Sequence, residues 1–114
     1  MRIAFTSKGT DWNSMMDSRF GRTEYLLLFD EETGELTHFD NRDIENESHG
    51  AGPKTAQKLF EFQADVLITG NGPGGNAARV FDDAEIRIYT GAGSLTVSEA
   101  LQAFRKNTLN EFRE

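Results

Sequence analysis

The sequence contains no cysteine, and this absence excludes several kinds of chemistry at once. Without thiols the chain forms no disulfide, offers no thiolate to a metal and has no cysteine nucleophile. Its two histidines, His38 and His49, form neither an i, i+4 pair nor a zinc-type spacing. The G-x-S-x-G pattern of hydrolases is absent as well. Since no arrangement of nucleophile and base is recognisable, the sequence predicts a protein that is not an enzyme.

Positive charge is also scarce, because 12 Lys and Arg stand against 19 Asp and Glu, for a net charge of −7. Binding to nucleic acid depends on clustered Lys and Arg, so we expect no nucleic-acid partner. No apolar run reaches the length of a transmembrane helix, so we expect no membrane partner. The first residues, Met1–Thr6, have the pattern of a core strand, and their apolar run is too short for a signal peptide. These features predict a cytoplasmic protein.

The length of 114 residues suits one domain with a real core, but not a cofactor domain plus a substrate domain. No repeat, low-complexity tract or linker interrupts the chain. We expect a single domain over residues 1–106. Residues 107–114 are predicted to be a frayed C-terminal extension, to which the sequence assigns no function.

Apolar runs and turn signals predict five strands and three helices. The predicted strands are Arg2–Thr6, Tyr25–Asp30, Leu36–Arg42, Asp65–Thr69 and Ile86–Thr90. Gly34 suits the left-handed position of the hairpin turn between the second and third strands. One helix is predicted to open with Pro53 at its first position, and another spans Asn76–Phe81. The last helix begins after Thr96, which has capping-box spacing with Glu99.

This order of elements predicts an α/β layered sheet that starts with an antiparallel hairpin and continues with parallel crossovers. The loops that follow parallel strands emerge at the same carboxyl edge of the sheet. In open α/β sheets that edge is where ligands bind. Four loops are expected to converge there: Ser7–Thr23, Asp43–Gly52, Gly70–Gly75 and Gly91–Gly93.

The glycine-rich loop Gly70–Gly75 is the first candidate site at this edge. It satisfies G-x-G-x-x-G through Gly70, Gly72 and Gly75, which indicates a dinucleotide fingerprint. However, the loop comes late in the chain, and the next strand ends at Tyr89-Thr90 without the acid that would hold a ribose. Two other interpretations remain open: glycines that serve a tight, closely packed turn, or a cradle of N–H groups for an anion or cluster.

A second candidate is the segment Asp17-Ser-Arg-Phe-Gly-Arg22, which places two arginines just before a central strand. Guanidinium groups suit oxyanions, carboxylates and phosphates, and a neighbouring Asp can orient one of them. The alternative is that Asp17 and Arg19 form an ion pair that only fixes the loop. Both interpretations stay open, and Arg22 belongs to the candidate site in the first of them.

The third group of candidates could ligate a metal. His49 lies between Ser48 and the sequence Gly50-Ala51-Gly52, and an imidazole there can bind a metal or donate to an anion. A solvated loop histidine is the alternative. Met15 and Met16 offer thioether sulfur to a soft metal, against the alternative that they pack over the core.

Taken together, these segments resemble the dinitrogenase iron–molybdenum cofactor biosynthesis family, which includes NifX- and NafY-like carriers, the C-terminal domain of NifB-like proteins and small orange proteins. The resemblance runs over nearly the whole chain, from Met1 to Lys106. It is carried by Met1–Phe5, Asp17–Arg22, His49–Gly52, Ala64–Gly72, Ile86–Gly91 and the helix Val97–Phe104.

The resemblance implies an RNase H-like α/β/α fold whose mixed five-stranded sheet has the order 3-2-1-4-5, with strand 2 antiparallel. It also implies binding and transfer of a molybdenum-containing metal–sulfur cluster, such as a molybdenum–copper or iron–molybdenum sulfide, to or from a partner protein. Some relatives carry cysteine near the cluster, which this chain lacks, so Arg, His and backbone N–H groups would hold an anionic cluster. The alternative function is a nucleotide- or phosphate-binding regulatory domain, and a module for protein interaction is a third. The expected cofactor-binding residues are Arg19, Arg22, His49, Gly50, Gly52, Gly70, Asn71, Gly72, Gly74 and Gly75.

Overall fold

The structure is a computed structural model that describes residues 1–42, 51–72, 81 and 85–112, with residues 51–54 described by their backbone only. The predicted helix Asn76–Phe81 lies outside the described residues except for Phe81. The described elements are β1 (Arg2–Ser7), β2 (Tyr25–Asp30), β3 (Glu35–Asp40), α1 (Ala51–Phe62), β4 (Val66–Ile68), β5 (Arg87–Thr90), α2 (Val97–Arg105) and β6 (Asn110–Glu111).

The strands form one mixed sheet of order β3-β2-β1-β4-β5-β6. β1, β4 and β5 run parallel to one another, whereas β2 is antiparallel to both β1 and β3. The predicted order 3-2-1-4-5 with an antiparallel second strand is therefore confirmed. A sixth strand, Asn110–Glu111, pairs antiparallel with β5. The expectation that the C-terminal segment frays is wrong for these two residues, because they pair with β5. A strand of two residues is too short to show a pattern in the sequence.

Side chains that alternate along the strands build two cores, one on each face of the sheet. In β1, Ile3 and Phe5 point into the core that α2 covers, while Ala4 points into the core that α1 covers. α2 contributes Val97, Ala100 and Leu101 to the first core, and α1 contributes Ala56 and Leu59 to the second. The molecule thus has the three α/β/α layers expected of an RNase H-like fold.

The start of α2 is fully capped by the protein itself. Thr96 Oγ1 accepts the Glu99 N–H at 3.2 Å, and Glu99 Oε1 accepts the Thr96 N–H at 2.9 Å, so the predicted capping box is confirmed. The next N–H groups, of Val97 and Ser98, donate to carbonyls of the loop that follows β1 at 2.9 and 3.0 Å. Because these donors have protein acceptors, this helix start is no site for an anion.

Of two local predictions, the one for Gly34 is confirmed and the one for Pro53 is wrong. Gly34 has a φ of 74°, which confirms its left-handed position in the hairpin turn. Pro53 does not open α1 but lies inside it, because the helix already includes Ala51. Of the helices that the structure describes, none has the length and the apolar character that a membrane crossing requires.

Candidate functional site

Three of the four loops expected at the carboxyl edge of the sheet meet there through their backbones. Gly70, which follows β4, lies so close to Ser18 that a Cβ on it would stand 2.6 Å from the Ser18 Cα. The same Cβ would stand 3.1 Å from the Cα of Gly93. The Asn71 N–H donates to the Ser18 carbonyl at 2.9 Å, and the Gly91 N–H donates to the Gly70 carbonyl at 3.1 Å. We call this convergence, formed by residues 17–24, 70–72 and 91–93, the loop junction.

The glycines of the loop after β4 are explained first by packing. Gly70 has no room for a side chain between Ser18 and Gly93, and a Cβ on Gly72 would stand 2.4 Å from the ring of Phe112. Two of the three glycines in the dinucleotide pattern thus permit close contacts within the protein. The Asn71 N–H is already engaged, so Asn71 can meet a ligand only through its exposed side chain. Gly74 and Gly75, the third glycine of the pattern, lie outside the described residues.

Asp17 is the buried centre of the loop after β1, with a side chain that is 1% exposed. Its Oδ1 accepts the Arg19 N–H at 3.0 Å and Arg19 Nε at 3.1 Å, and its Oδ2 accepts Arg19 Nη2 at 3.0 Å and the Glu24 N–H at 3.1 Å. Burial raises the pKa of the Asp17 carboxyl, but these hydrogen bonds outweigh it and hold the pKa below its ordinary value. The Asp–Arg pair considered from the sequence therefore forms, and it holds Arg19 at the surface with 45% of its side chain exposed.

Two buried threonines attach this loop to the ends of the parallel strands. Thr6 Oγ1 donates to the Asp17 carbonyl at 2.7 Å and lies 2.9 Å from Thr69 Oγ1. The Asp17 N–H donates back to the Thr6 carbonyl at 2.9 Å. Thr6 lies one residue before the end of β1, and Thr69 directly follows β4, so Asp17 has a fixed position relative to both strands.

Asn41 is not among the site residues predicted from the sequence, because an amide that follows an edge strand resembles an ordinary surface residue. It is fully buried, and its Nδ2 donates to the carbonyls of Gly21 at 3.2 Å and Thr23 at 2.9 Å. These carbonyls stand on either side of Arg22. Thr55 of α1 also donates to the Gly21 carbonyl, at 3.1 Å. The backbone that carries the exposed Arg22 is therefore fixed from β3 and from α1 at once.

The remaining candidate residues are not brought together by the described part of the chain. Met16 is 1% exposed and packs in the core on the α2 face, whereas Met15 is 45% exposed in the loop that follows β1. His49 and Gly50 lie outside the described residues, and Gly52 lies in α1. Among the described residues, no group of three or more His, Asp and Glu side chains is placed to hold a metal ion. The charged side chains of the loop junction are two arginines, Arg19 and Arg22, and two carboxylates, Asp17 and Glu24.

The opposite edge of the sheet has a different character. A cavity of about 320 Å³ there is lined by Arg2 and by the carboxylates of Asp30, Glu32 and Asp65. Arg2 is already engaged, since it contacts Asp30 at 3.6 Å and donates to the Phe62 carbonyl at 3.0 Å. Three carboxylates thus stand here against Arg2 and the Met1 ammonium, whereas the loop junction has two exposed arginines and two carboxylates, of which Asp17 is buried.

Comparison with known proteins agrees with the fold and with the resemblance. The sequence profile of the family described as dinitrogenase iron-molybdenum cofactor matches residues 1–107. The structure is similar to the apo form of the orange protein from Desulfovibrio gigas, with a TM-score of 0.90 and 33% identity over 97% of this chain and 92% of that one. It is also similar to a Thermotoga protein provisionally named NifB, with a TM-score of 0.82 and 35% identity over 99% of this chain and 97% of that one. No curated protein sequence matches the chain.

Proposed function

Because the chain belongs to the dinitrogenase iron-molybdenum cofactor family, we propose that it binds and carries, or helps to assemble, a molybdenum-containing metal–sulfur cluster or its precursor. The cluster is cargo in this proposal, and the protein performs no reaction on it. The observation that carries the proposal is the loop junction, where two arginines are held at the surface by buried groups.

The donor set fits one kind of cargo. A chain without cysteine, whose described part gathers no carboxylate and imidazole ligands, does not replace the ligands of a metal ion. It can hold a cluster that keeps its own sulfides and carries net negative charge, because guanidinium and amide N–H groups donate to anions. In our proposal Arg19, Arg22 and the Asn71 side chain make these contacts.

Preorganisation supports the same proposal. The ion pair with Asp17 restricts the rotamers of Arg19, and the hydrogen bonds from Asn41 fix the backbone around Arg22. An anion that binds two such groups loses less conformational entropy than one that must order a free loop. The proposal also assigns His49, Gly50, Gly52, Gly74 and Gly75 to the site.

The proposal includes a donor or acceptor protein for the cargo. A surface-held cluster that is bound through charge and hydrogen bonds can leave without the breaking of a bond between metal and protein. This property suits transfer between proteins, and the family to which the chain belongs is named for a cofactor.

Anaerobic reconstitution tests the function. The purified chain is incubated with tetrathiomolybdate and copper(I), desalted, and measured by visible absorption and metal analysis, while parallel samples are titrated with ATP and NAD in a calorimeter. We expect a coloured protein with a fixed ratio of molybdenum to chain and no heat from either nucleotide. Stoichiometric nucleotide binding without retained molybdenum would instead establish the alternative, a nucleotide- or phosphate-binding regulatory domain.

A further inference from the structure

The segment that follows α2 turns back onto the sheet and reaches the loop junction. Asn107, with a φ of 59°, reverses the chain, and its N–H donates to the Phe104 carbonyl at 3.1 Å. The Thr108 N–H donates to the Ala103 carbonyl at 3.0 Å. β6 then pairs with β5, and the Phe112 N–H donates to the Ile88 carbonyl at 2.7 Å. We call Thr108–Phe112 the C-terminal clip.

The clip is attached on both faces of the sheet. Leu109 packs against the core on the α2 face, and Phe112 packs against the core on the α1 face. Asn110 also approaches the turn at Gly91, with its Nδ2 4.0 Å from where a Cβ on Gly91 would stand. The matched family region ends at residue 107, so the clip lies beyond the part of the chain that the family match covers.

Phe112 contacts the loop junction directly through Gly72. The Cδ2 and Cε2 atoms of its ring would stand 2.4 Å from a Cβ on Gly72, so the ring lies against the bare backbone of that residue. Ser18 holds the other end of the same short loop, because it accepts the Asn71 N–H and abuts Gly70. The loop Gly70–Gly72 is therefore held at both ends.

We propose that Phe112 is a positioning residue of the loop junction: the C-terminal clip holds the loop Gly70–Gly72 closed against Ser18, and its opening sets the rate at which cargo leaves. The second half of this inference rests on the proposed function, whereas the first half does not. A two-residue strand has few hydrogen bonds to break, so the clip can open without unfolding of the sheet.

Amide hydrogen exchange in the full, cargo-free chain tests the first half. The probe is the Asn71 N–H, which donates to Ser18, and the reference is the Phe5 N–H in the central strand β1. Phe112→Ala is expected to speed exchange at Asn71 by at least about tenfold and to leave Phe5 unchanged. Phe104→Ala is the matched control, because Phe104 is also half-buried but packs on Tyr89, on the opposite face of the sheet from Phe112. Exchange at Asn71 that stays within a factor of about two in Phe112→Ala overturns the inference.

Two further variants keep the test decisive if Phe112→Ala folds poorly. Phe112→Leu retains an apolar side chain and loses the ring, so a smaller acceleration at Asn71 is expected. Gly72→Ala is expected to displace the clip in the natural background and to have little added effect once Phe112 is Ala, because the clashing ring is then gone. Additive effects of these two substitutions contradict a direct contact.

The second half is tested on protein loaded with tetrathiomolybdate and copper(I). Loss of protein-bound molybdenum, measured by metal analysis after desalting at timed intervals, is expected to be at least about fivefold faster in Phe112→Ala than in Phe104→Ala. Equal release rates in these variants overturn the link to cargo. If the natural chain retains no molybdenum at all, the proposed function fails, while the exchange result still decides whether the clip positions the loop.

Discussion

The carboxylate of Asp17 accepts two hydrogen bonds from the guanidinium of Arg19, from Nε to Oδ1 at 3.1 Å and from Nη2 to Oδ2 at 3.0 Å. The Asp17 carboxylate is buried and the Arg19 side chain is half-exposed, so the ion pair holds the positive charge of Arg19 at the surface. A surface ion pair contributes little to stability, but this carboxylate also accepts two backbone N–H groups and cannot be removed without cost.

Asp17→Asn is expected to lower the free energy of unfolding by about 2 kcal/mol, because the amide keeps the shape but loses charge-assisted hydrogen bonds to Arg19 and Glu24. Urea denaturation at pH 7 measures the difference. Asp40→Asn is the control, since Asp40 pairs with Arg42 in the same two-point geometry at an exposed position. Equal losses in the two variants would show that burial of Asp17 is irrelevant.

Stability is expected to fall in acid through the same carboxylate. The folded pKa of Asp17 lies below its ordinary value of 3.8, so its contribution is complete above that pH and is lost as the pH falls through the folded pKa. Hydrogen bonds from Arg42 lower the pKa of Asp40 to about 2, so ionised Asp40 also contributes stability that is lost in acid. The Asp40–Arg42 pair is exposed, however, and salt screens it. Urea midpoints between about pH 2 and 6 in high salt should therefore decline less in Asp17→Asn than in the natural chain. Equal declines of the urea midpoint in the two proteins would show that the Asp17 carboxylate does not cause the loss of stability in acid.

Asn41→Ala should disturb the position of Arg22 although the two side chains belong to different elements. Its loss removes the Asn41 donor from the Thr23 carbonyl and one of two side-chain donors from the Gly21 carbonyl, at an expected cost of about 2 kcal/mol in stability. Retention of tetrathiomolybdate and copper should fall as well, and the amide shifts of Arg22 should move. Thr55→Val is the milder comparison, because it removes one donor to Gly21 and a 3.4 Å contact with Asn41 Oδ1, but not the two hydrogen bonds that Asn41 Nδ2 donates. Unchanged Arg22 shifts in Asn41→Ala would refute the positioning role.

Gly70→Ala is expected to destabilise the chain by about 1–3 kcal/mol, because its Cβ would stand 2.6 Å from the backbone of Ser18, which cannot rotate away. Gly93→Ala is a control at the same junction, where the added Cβ would be 3.5 Å from the nearest side-chain atom, an ordinary contact. Thermal unfolding of the pair measures the difference. A similar loss of stability in both variants would mean that the flexibility of glycine, and not the close approach of the loops, explains the effect of Gly70→Ala.

Arg22→Ala should weaken binding of the tetrathiomolybdate–copper cargo by about tenfold, or ~1.4 kcal/mol, without a change in stability. The effect should shrink in high salt, because the contact is electrostatic and exposed. Arg87→Ala removes an equal charge from the start of β5, at the other end of the strand, and serves as control. Equal affinities of the two variants would place the cargo elsewhere.

The sequence predicted what depends on local patterning. The bounds of β2 and the Thr96–Glu99 capping box are confirmed, since apolar runs and i, i+3 spacing are visible without tertiary structure. Asn41 and Phe112 could not be found in this way, because their roles depend on partners distant in the sequence, Thr23 and Gly72. The glycines after β4 suggested a ligand, yet their first role is close packing, and sequence spacing does not distinguish these causes.

The measurement that tests the proposed site most directly is a map of backbone amide shifts on addition of tetrathiomolybdate and copper(I) to the labelled chain. We expect saturable shifts in the loop junction, at Ser18–Thr23, Asn71–Gly72 and Gly91–Gly93, with none at the acidic edge around Asp30 and Asp65. Saturable shifts that cluster at the acidic edge, or shifts that never saturate, would contradict a cargo site at the loop junction.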